Sequence, residues 1–230
     1  MEDFEQAVLG IWDARLKAAA LRTAKGIKDE SRRSGVLAGK HLDAVAAVIG
    51  AVFVDAGMPG SSVFFKRNDV VLPGYFRATK QWDILVVHKG QMVAAVELKS
   101  MLGSVGNNLN NRMEESIGSA KDLQEAAESG LMGDMHPWVG YAYILEDLPD
   151  AQEPVKVMET HFKVDPQFSQ ASYERRLELY LKRLVMKKLY DAAWFAVANP
   201  TTRTVREPST ELTWRKFEAG IRGRVGEVLA

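Results

Sequence analysis

Two short apolar runs separated by a polar turn constrain this chain more than any other feature. They cover residues 83–87 and 92–98, with His-Lys-Gly-Gln between them. Apolar runs on either side of a Gly-containing turn predict an antiparallel hairpin. With the turn centred near Gly90, Asp83 and Glu97 lie opposite each other, with β-carbons about 5 Å apart. The hairpin is therefore expected to bring two carboxylates together at its open end.

A lysine joins this pair of carboxylates. Side chains alternate along a strand, so Glu97 and Lys99 share one face while Leu98 points into a core. Two close carboxylates are costly unless a cation lies between them, and an all-oxygen site suits Mg²⁺. We therefore expect Asp83, Glu97 and the carbonyl of Leu98 to ligate Mg²⁺. A surface hairpin with a salt bridge fits the pattern equally well; the apolar flanks raise the metal site to the same standing, since unpaired buried charges are expensive.

A metal site of this kind favours phosphodiester hydrolysis. The metal lowers the pKa of a bound water, neutralises charge and orients the phosphate. Lys99 would supply a fixed positive charge beside the metal. This lysine either positions or deprotonates the attacking water, or stabilises the developing negative charge. The residues leave all three roles open.

Periodicity and turn residues outline the rest of the chain. Helices are predicted at residues 3–22, 40–56, 113–128, 173–191 and 211–229. One strand or a pair is predicted within residues 63–76, and further strands at 139–145 and 193–198. This order predicts an α/β fold with a mixed β-sheet core flanked by helices on both faces. The length of 230 residues suits a single domain, 1–230.

Composition excludes some functions and leaves others open. There is no cysteine, so disulfides and thiolate metal sites are impossible. Lys plus Arg and Asp plus Glu each number 30, so net charge neither favours nor excludes nucleic acid. The longest apolar run, residues 44–54, is too short to span a membrane, and the acidic N-terminus lacks the order of a secretory signal. We expect a soluble, cytoplasmic protein.

The charged triplet resembles the PD-(D/E)xK nuclease motif. Asp83 is followed after thirteen residues by Glu97-Leu98-Lys99, and the three functional positions are intact. Trp82 stands where the motif name has proline, a position that does not chelate metal. The resemblance implies a restriction-endonuclease-like fold in which Asp83, Glu97 and Lys99 are catalytic.

Longer blocks resemble the XhoI-type restriction endonucleases. They are GKHLD at residues 39–43, WD at 82–83, VELKS at 96–100 and GNNLNNRMEESIGSA at 106–120. The similarity extends from the first helices to about Ala198. It implies a homodimeric type II enzyme that binds a palindrome, CTCGAG in that family, and cuts both strands of double-stranded DNA with Mg²⁺. A dimer with two-fold symmetry fits a palindrome, because each subunit presents the same surface to one half-site.

Other polar residues near the motif are candidates for DNA contact or support of the metal. Asparagine can pair with adenine and arginine with guanine in the major groove, although asparagine is also common in turns and helix caps. The candidate DNA-binding residues are Asn107, Asn108, Asn110, Asn111 and Arg112. The possible supporting residues, for which helix capping or the helix dipole is the alternative, are His41, Asp43, Glu114 and Glu115.

Two basic stretches are further candidates for contact with DNA phosphates. One comprises Arg22, Lys25, Lys28, Arg32, Arg33 and Lys40, and the other Lys66, Arg67, Arg77 and Lys80. Two rival functions remain at this point. One is a repair or recombination nuclease of the same fold that recognises DNA structure, and the other is a DNA-binding protein that does not cleave.

Overall fold

The computed structural model describes residues 2–24, 41–65, 68–103, 105–106 and 108–230. The helices are α1 (Glu2–Ala24), α2 (Asp43–Asp55), α3 (Leu109–Glu128), α4 (Pro149–Gln152), α5 (Tyr173–Met186) and α6 (Trp214–Leu229). The strands are β1 (Val63–Phe64), β2 (Val71–Pro73), β3 (Thr79–Gln81), β4 (Ile84–His88), β5 (Gln91–Met101), β6 (Trp138–Glu146), β7 (Ala192–Asn199) and β8 (Thr204–Arg206).

A mixed sheet forms the centre of the fold. Its strand order is β1-β4-β5-β6-β7-β8, and β2 and β3 form a separate two-stranded sheet. The β5, β6 and β7 strands run parallel, whereas the pairs β1/β4, β4/β5 and β7/β8 are antiparallel. The long strand β5 lies between its hairpin partner and its first parallel partner, so both neighbours fix its register.

Helices cover both faces of this sheet, which confirms the α/β architecture expected from the sequence. On one face, Phe53 of α2 and Phe217 of α6 pack in one core with Leu98 of β5. On the other face, Leu181 of α5 packs with Tyr141 of β6 in a second core. Alternate residues of each central strand therefore enter different cores, as the period of two in a strand requires.

The hairpin has the register expected for the two carboxylates, but it reaches that register through a bulge. Lys89 and Gly90 form the turn with positive φ angles of 49° and 75°, a conformation that matches strand twist and favours glycine. The pairing is Val87 with Met92 before the irregularity and Val86 with Ala94 after it. The extra residue on β5 is Val93. It shifts the register so that Ile84 pairs with Val96, and Asp83 and Glu97 are the next residues beyond this last pair.

Helix α3 begins earlier than expected. The sequence predicts a polar loop to Arg112 and a helix from Met113, whereas the helix starts at Leu109. Buried Leu109 anchors the first turn in the core, and this packing outweighs the weak helix propensity of asparagine. The predicted DNA-contacting residues from Asn110 to Arg112 therefore lie on a helix rather than on a loop.

Helix α5 ends earlier than expected. It stops at Met186 because Lys188 adopts a positive φ of 55°. The turn directs Tyr190 into the core, and the backbone N–H of Leu189 donates to the carbonyl of Leu184 at 3.0 Å. A lysine at a position that usually favours glycine carries no sequence signal for a helix end.

The last strand, β8, is missing from the sequence prediction, because the polar composition between Asn199 and Pro208 predicts an irregular segment. The side chain of Asn199 accepts hydrogen bonds from the backbone N–H groups of Thr201 and Thr202, both at 3.0 Å. This turn returns the chain as β8 beside β7.

No helix in the described part of the chain combines the length and the apolar character needed to cross a membrane.

Candidate active site

Asp83 is held at the open end of the β4–β5 hairpin by two hydrogen bonds. Its backbone N–H donates to the carbonyl of Val96 at 3.2 Å. Its Oδ2 accepts from the backbone N–H of Leu98 at 2.7 Å. The preceding residue, Trp82, is buried and anchors this segment in the core. Backbone and side chain of Asp83 are thus both tied to the strand that carries Glu97.

Glu97 is buried between two lysines. It is 6% exposed. Its Oε2 accepts from Nζ of Lys80 at 2.7 Å, and its Oε1 accepts from Nζ of Lys99. The contact with Lys99 confirms that residues 97 and 99 share one face of β5, while Leu98 enters the opposite core. Two carboxylates and two ammonium groups thus meet at one end of the sheet.

The two carboxylates affect each other electrostatically. Burial and the negative charge of Glu97 raise the pKa of Asp83 from 3.8 to about 6, although the Leu98 N–H and the lysines Lys99 and Lys80 oppose the shift. The Leu98 N–H and the two lysines thus offset only part of the cost of burial and of the repulsion by Glu97. A further cation beside Asp83 would favour its charged form.

Lys99 and Glu97 stabilise each other's charges. Burial opposes ionisation of Glu97, but the charges of Lys99 and Lys80 and their hydrogen bonds outweigh it and lower the pKa of Glu97. Burial likewise opposes the charge of Lys99, but Glu97 and Asp83 outweigh it and raise the pKa of Lys99. At neutral pH Lys99 is therefore a cation in this arrangement.

The donor set at this site fits Mg²⁺. Asp83 and Glu97 supply carboxylate oxygens, and among the described residues no group of three or more His, Cys, Asp or Glu side chains is placed to hold a metal ion, so further ligands would be backbone carbonyls and water. The backbone carbonyls of Val96 and Leu98 point to the same edge of β5, because residues two apart in a strand have the same orientation. The Val96 carbonyl meets Asp83 at that edge. A small set of protein ligands that are all oxygen atoms suits Mg²⁺, because this ion keeps several of its water molecules.

The predicted supporting residues His41 and Asp43 lie at the start of α2, and His41 contacts β5. His41 is buried just before α2, and its Nε2 lies 2.8 Å from Oγ of Ser100. Ser100 has the strand orientation of Leu98, so His41 supports β5 from the face opposite Glu97. Asp43 is the exposed first residue of α2, where its carboxylate interacts favourably with the helix dipole.

The start of α3 lies next to the site. Arg112 is close enough to Lys99 for its charge to oppose protonation of that lysine. Arg112 also forms an ion pair with Glu115, whose Oε2 lies 2.8 Å from Nη1. The side chains of Asn108, Asn110, Asn111 and Glu114 are exposed. Asn107 lies outside the described residues, as do most of the first basic stretch (residues 25–40) and Lys66 and Arg67.

Two features of the site were missed by sequence reasoning. The sequence places Lys80 only in a basic stretch, although it contacts Glu97; all three residues of β3 are polar, so nothing in the sequence indicates that Lys80 points inward. Tyr141 and Tyr143 are register partners of Glu97 and Lys99. Their hydroxyls are buried without a hydrogen-bond partner among the described residues. Within an apolar strand, nothing in the sequence distinguishes them from core residues.

Known proteins are similar to this sequence over most of its length. The family model described as restriction endonuclease XhoI matches residues 22–209. The chain is 44% identical over 173 residues to the type II restriction enzyme BstVI of Geobacillus stearothermophilus, covering 72% of this chain and 77% of the relative. It is 41% identical over 183 residues to the type II restriction enzyme XhoI of Xanthomonas vasicola, covering 78% and 73%.

A third relative, the type II restriction enzyme AbrI of Azospirillum brasilense, is 36% identical over 160 residues, covering 69% of this chain and 72% of the relative. No solved structure matches the chain significantly. The family match includes the hairpin with Asp83, Glu97 and Lys99 and the start of α3. The resemblance expected from the sequence is confirmed, and the chain belongs to the XhoI family of restriction endonucleases.

Proposed function

We propose that this chain is a Mg²⁺-dependent type II restriction endonuclease that hydrolyses phosphodiester bonds of double-stranded DNA. The observation that carries the proposal is the convergence of Asp83 and Glu97 beside Lys99 at the open end of the hairpin. A salt-bridged surface hairpin does not account for this arrangement, because Glu97 is buried and Asp83 has a raised pKa. The relatives, which are type II restriction enzymes by name, support the same activity.

In this proposal Asp83, Glu97 and the carbonyl of Leu98 hold the metal. A bound Mg²⁺ would lower the pKa of a water molecule and neutralise charge on the scissile phosphate. Asp83 is already oriented by the Leu98 N–H, so its carboxylate needs little rearrangement. Glu97 is oriented by its two lysines, whose charges a metal on this carboxylate would oppose.

Lys99 stabilises negative charge in this proposal. In the metal-free protein the carboxylates keep it protonated, which supports its role as a fixed cation beside the attacking water and the phosphate. Arg112 at the start of α3 adds positive charge next to it.

We further propose that two subunits bind one palindrome, CTCGAG, and cut one strand each. The support for this target is the family resemblance. The support for the dimer is symmetry, since a palindrome presents two equal half-sites to two equal subunits. The exposed asparagines of α3 and the adjacent Arg112 are the proposed contacts to bases, because these side chains match the donors and acceptors of the major groove.

Digestion of a plasmid that contains CTCGAG, in Mg²⁺ and in EDTA, tests the proposal when the fragment ends are sequenced. Ends at CTCGAG in Mg²⁺ alone support the metal dependence, the activity and the target. Discrete ends elsewhere overturn the target but retain the enzyme class. Cleavage at branched or nicked DNA without discrete ends indicates a structure-specific nuclease. DNA binding without cleavage in both Mg²⁺ and Mn²⁺ contradicts the proposed activity.

A further inference from the structure

Lys80 is a second lysine at the candidate active site, and the roles proposed above leave it unassigned. Its Nζ donates to Oε2 of Glu97 at 2.7 Å and to the backbone carbonyl of Gln81 at 3.1 Å. The same ammonium lies 4.3 Å from the centroid of the Trp82 ring. The side chain is 12% exposed, so the cation is held by directed contacts rather than by solvent.

Both carboxylate oxygens of Glu97 are occupied by ammonium groups. Oε1 accepts from Lys99 and Oε2 accepts from Lys80. A divalent cation on either oxygen would lie beside one of these ammonium groups, where like charges repel strongly because the site is poorly solvated. Withdrawal of one ammonium would therefore favour coordination of a metal by Glu97.

Lys80 is better placed to withdraw than Lys99. Lys99 follows Glu97 on the same strand, and pairing of β5 with β6 runs through both residues. Lys80 reaches the site from β3, which belongs to the separate two-stranded sheet. The Gln81 carbonyl and the Trp82 ring give its ammonium other partners once Glu97 is released.

We propose that Lys80 is an exchangeable counter-ion of Glu97, which neutralises this carboxylate in the metal-free enzyme, yields it to the metal and then binds a phosphate oxygen of the DNA. The inference rests on the proposed function, because it requires a metal site at Asp83 and Glu97. Charge balance supports it. The two lysines match the two carboxylates, so a divalent ion leaves two positive charges for the anionic phosphate and the negative charge of the attacking water.

The test measures Mn²⁺ binding to the DNA-free enzyme by electron paramagnetic resonance. Mn²⁺ is chosen because carboxylate and carbonyl oxygens are suitable ligands for it. Lys80→Met removes the competing ammonium and should tighten Mn²⁺ binding about tenfold, which corresponds to about 1.4 kcal/mol. Lys216→Met, a change on an exposed lysine of α6, is the matched control and should bind as the wild type does. Lys80→Gln keeps a hydrogen-bond donor without the charge and gives the same test if the methionine variant does not fold.

The second readout is single-turnover cleavage at saturating Mn²⁺. Lys80→Met should cut at least about tenfold more slowly despite its tighter metal binding, because the phosphate is deprived of a cation. Lys80→Arg should recover part of the rate. A merely structural role for Lys80 would not strengthen metal binding while it weakens cleavage.

Two results would overturn the inference, and they are distinguishable. If the wild type binds Mn²⁺, Asp83→Asn does not, and Lys80→Met binds as the wild type does, the metal site stands and Lys80 is no counter-ion. If neither the wild type nor any Lys80 variant binds Mn²⁺, the proposed metal site fails together with the inference.

Discussion

The ionised carboxylate of Asp83 lowers the free energy of unfolding, because it is held in a poorly solvated position beside Glu97. Its pKa is 3.8 in the unfolded chain and about 6 in the folded protein, so between these values the folded state holds a proton that the unfolded state has released. Stability from this group therefore falls as pH rises from about 4 to about 6, and stays lower above that range. The carboxylate that the proposed reaction needs is one that folding disfavours.

Asp83→Asn should stabilise the metal-free protein while it abolishes cleavage. The amide oxygen can still accept from the Leu98 N–H, and the buried charge is removed. We expect a gain of about 2 kcal/mol in the free energy of unfolding in EDTA at pH 8, shrinking to nothing near pH 4. Urea unfolding across this pH range measures it, with the exposed Asp69→Asn as control. Equal stability of variant and wild type at pH 8 would contradict the raised pKa.

Lys99→Ala should remove activity without unfolding the protein. Glu97 keeps Lys80 as a partner, so no buried carboxylate is left unpaired. We expect the single-turnover cleavage rate to fall about 100-fold or more, which is the usual cost of removing one electrostatic stabiliser. Lys89→Ala, at the exposed hairpin turn, is the control. A rate within about threefold of the wild type would exclude Lys99 from the reaction.

At the scale of elements, the β4–β5 hairpin could be predicted from the sequence, but the contact of Lys80 with Glu97 could not. Alternation, the Lys89-Gly90 turn and the charges at the strand ends are all local in sequence, so they identify Asp83 opposite Glu97. Lys80 reaches Glu97 from another sheet, and that long-range interaction depends on packing that no local pattern encodes. The early end of α5 was missed for a related reason, since Lys188 takes a left-handed conformation in response to burial of Tyr190.

The loop between β2 and β3 depends on one buried carboxylate of α3. Asp122 Oδ1 accepts from the backbone N–H groups of Tyr75 and Phe76 at 3.0 and 2.7 Å, and its Oδ2 pairs with Arg77 at 3.1 Å. Gly74 is needed there, because a Cβ would lie 2.6 Å from the Asp122 carboxylate. The carboxylate therefore holds two exposed aromatic side chains on an ordered loop.

Asp122→Ala should loosen this loop and destabilise the protein by about 2–4 kcal/mol, because two amides and Arg77 are left without their buried partner. Chymotrypsin should then cut faster after Tyr75 and Phe76, as read by mass spectrometry. Cleavage after Phe162, which is 88% exposed, is an internal reference and should keep its rate. Unchanged cutting at Tyr75 would show that Asp122 does not order the loop.

The start of α3 should contribute sequence recognition. Replacing Asn110 and Asn111 by alanine should weaken binding to a CTCGAG duplex by about 1–3 kcal/mol for each base that these side chains bind, and leave binding to a scrambled duplex unchanged. Ser129→Ala, exposed at the opposite end of the helix, is the control. Competition binding at one salt concentration measures both affinities. An equal decrease for both duplexes would assign these residues to phosphate binding.

At the scale of the whole molecule, the palindrome proposal predicts one active site for each strand. A heterodimer of wild type and Asp83→Asn should nick supercoiled plasmid at CTCGAG and leave the second strand intact, because one subunit has no complete metal site. Separately tagged subunits allow purification of this heterodimer, and agarose gels distinguish open-circular from linear plasmid. Linear product at the wild-type rate would show that one active site cuts both strands.

The bulge at Val93 separates the position of the hairpin turn from the position of the active site. Pairing with β6 sets where Glu97 and Lys99 lie, while the irregularity between Val86 and Val87 accommodates the turn. The tip at Lys89 and Gly90 is exposed. A peptide tag or a ligand-binding module inserted there should leave the geometry of Asp83 and Glu97 intact, which makes this turn the natural point at which to engineer a nuclease controlled by an added ligand.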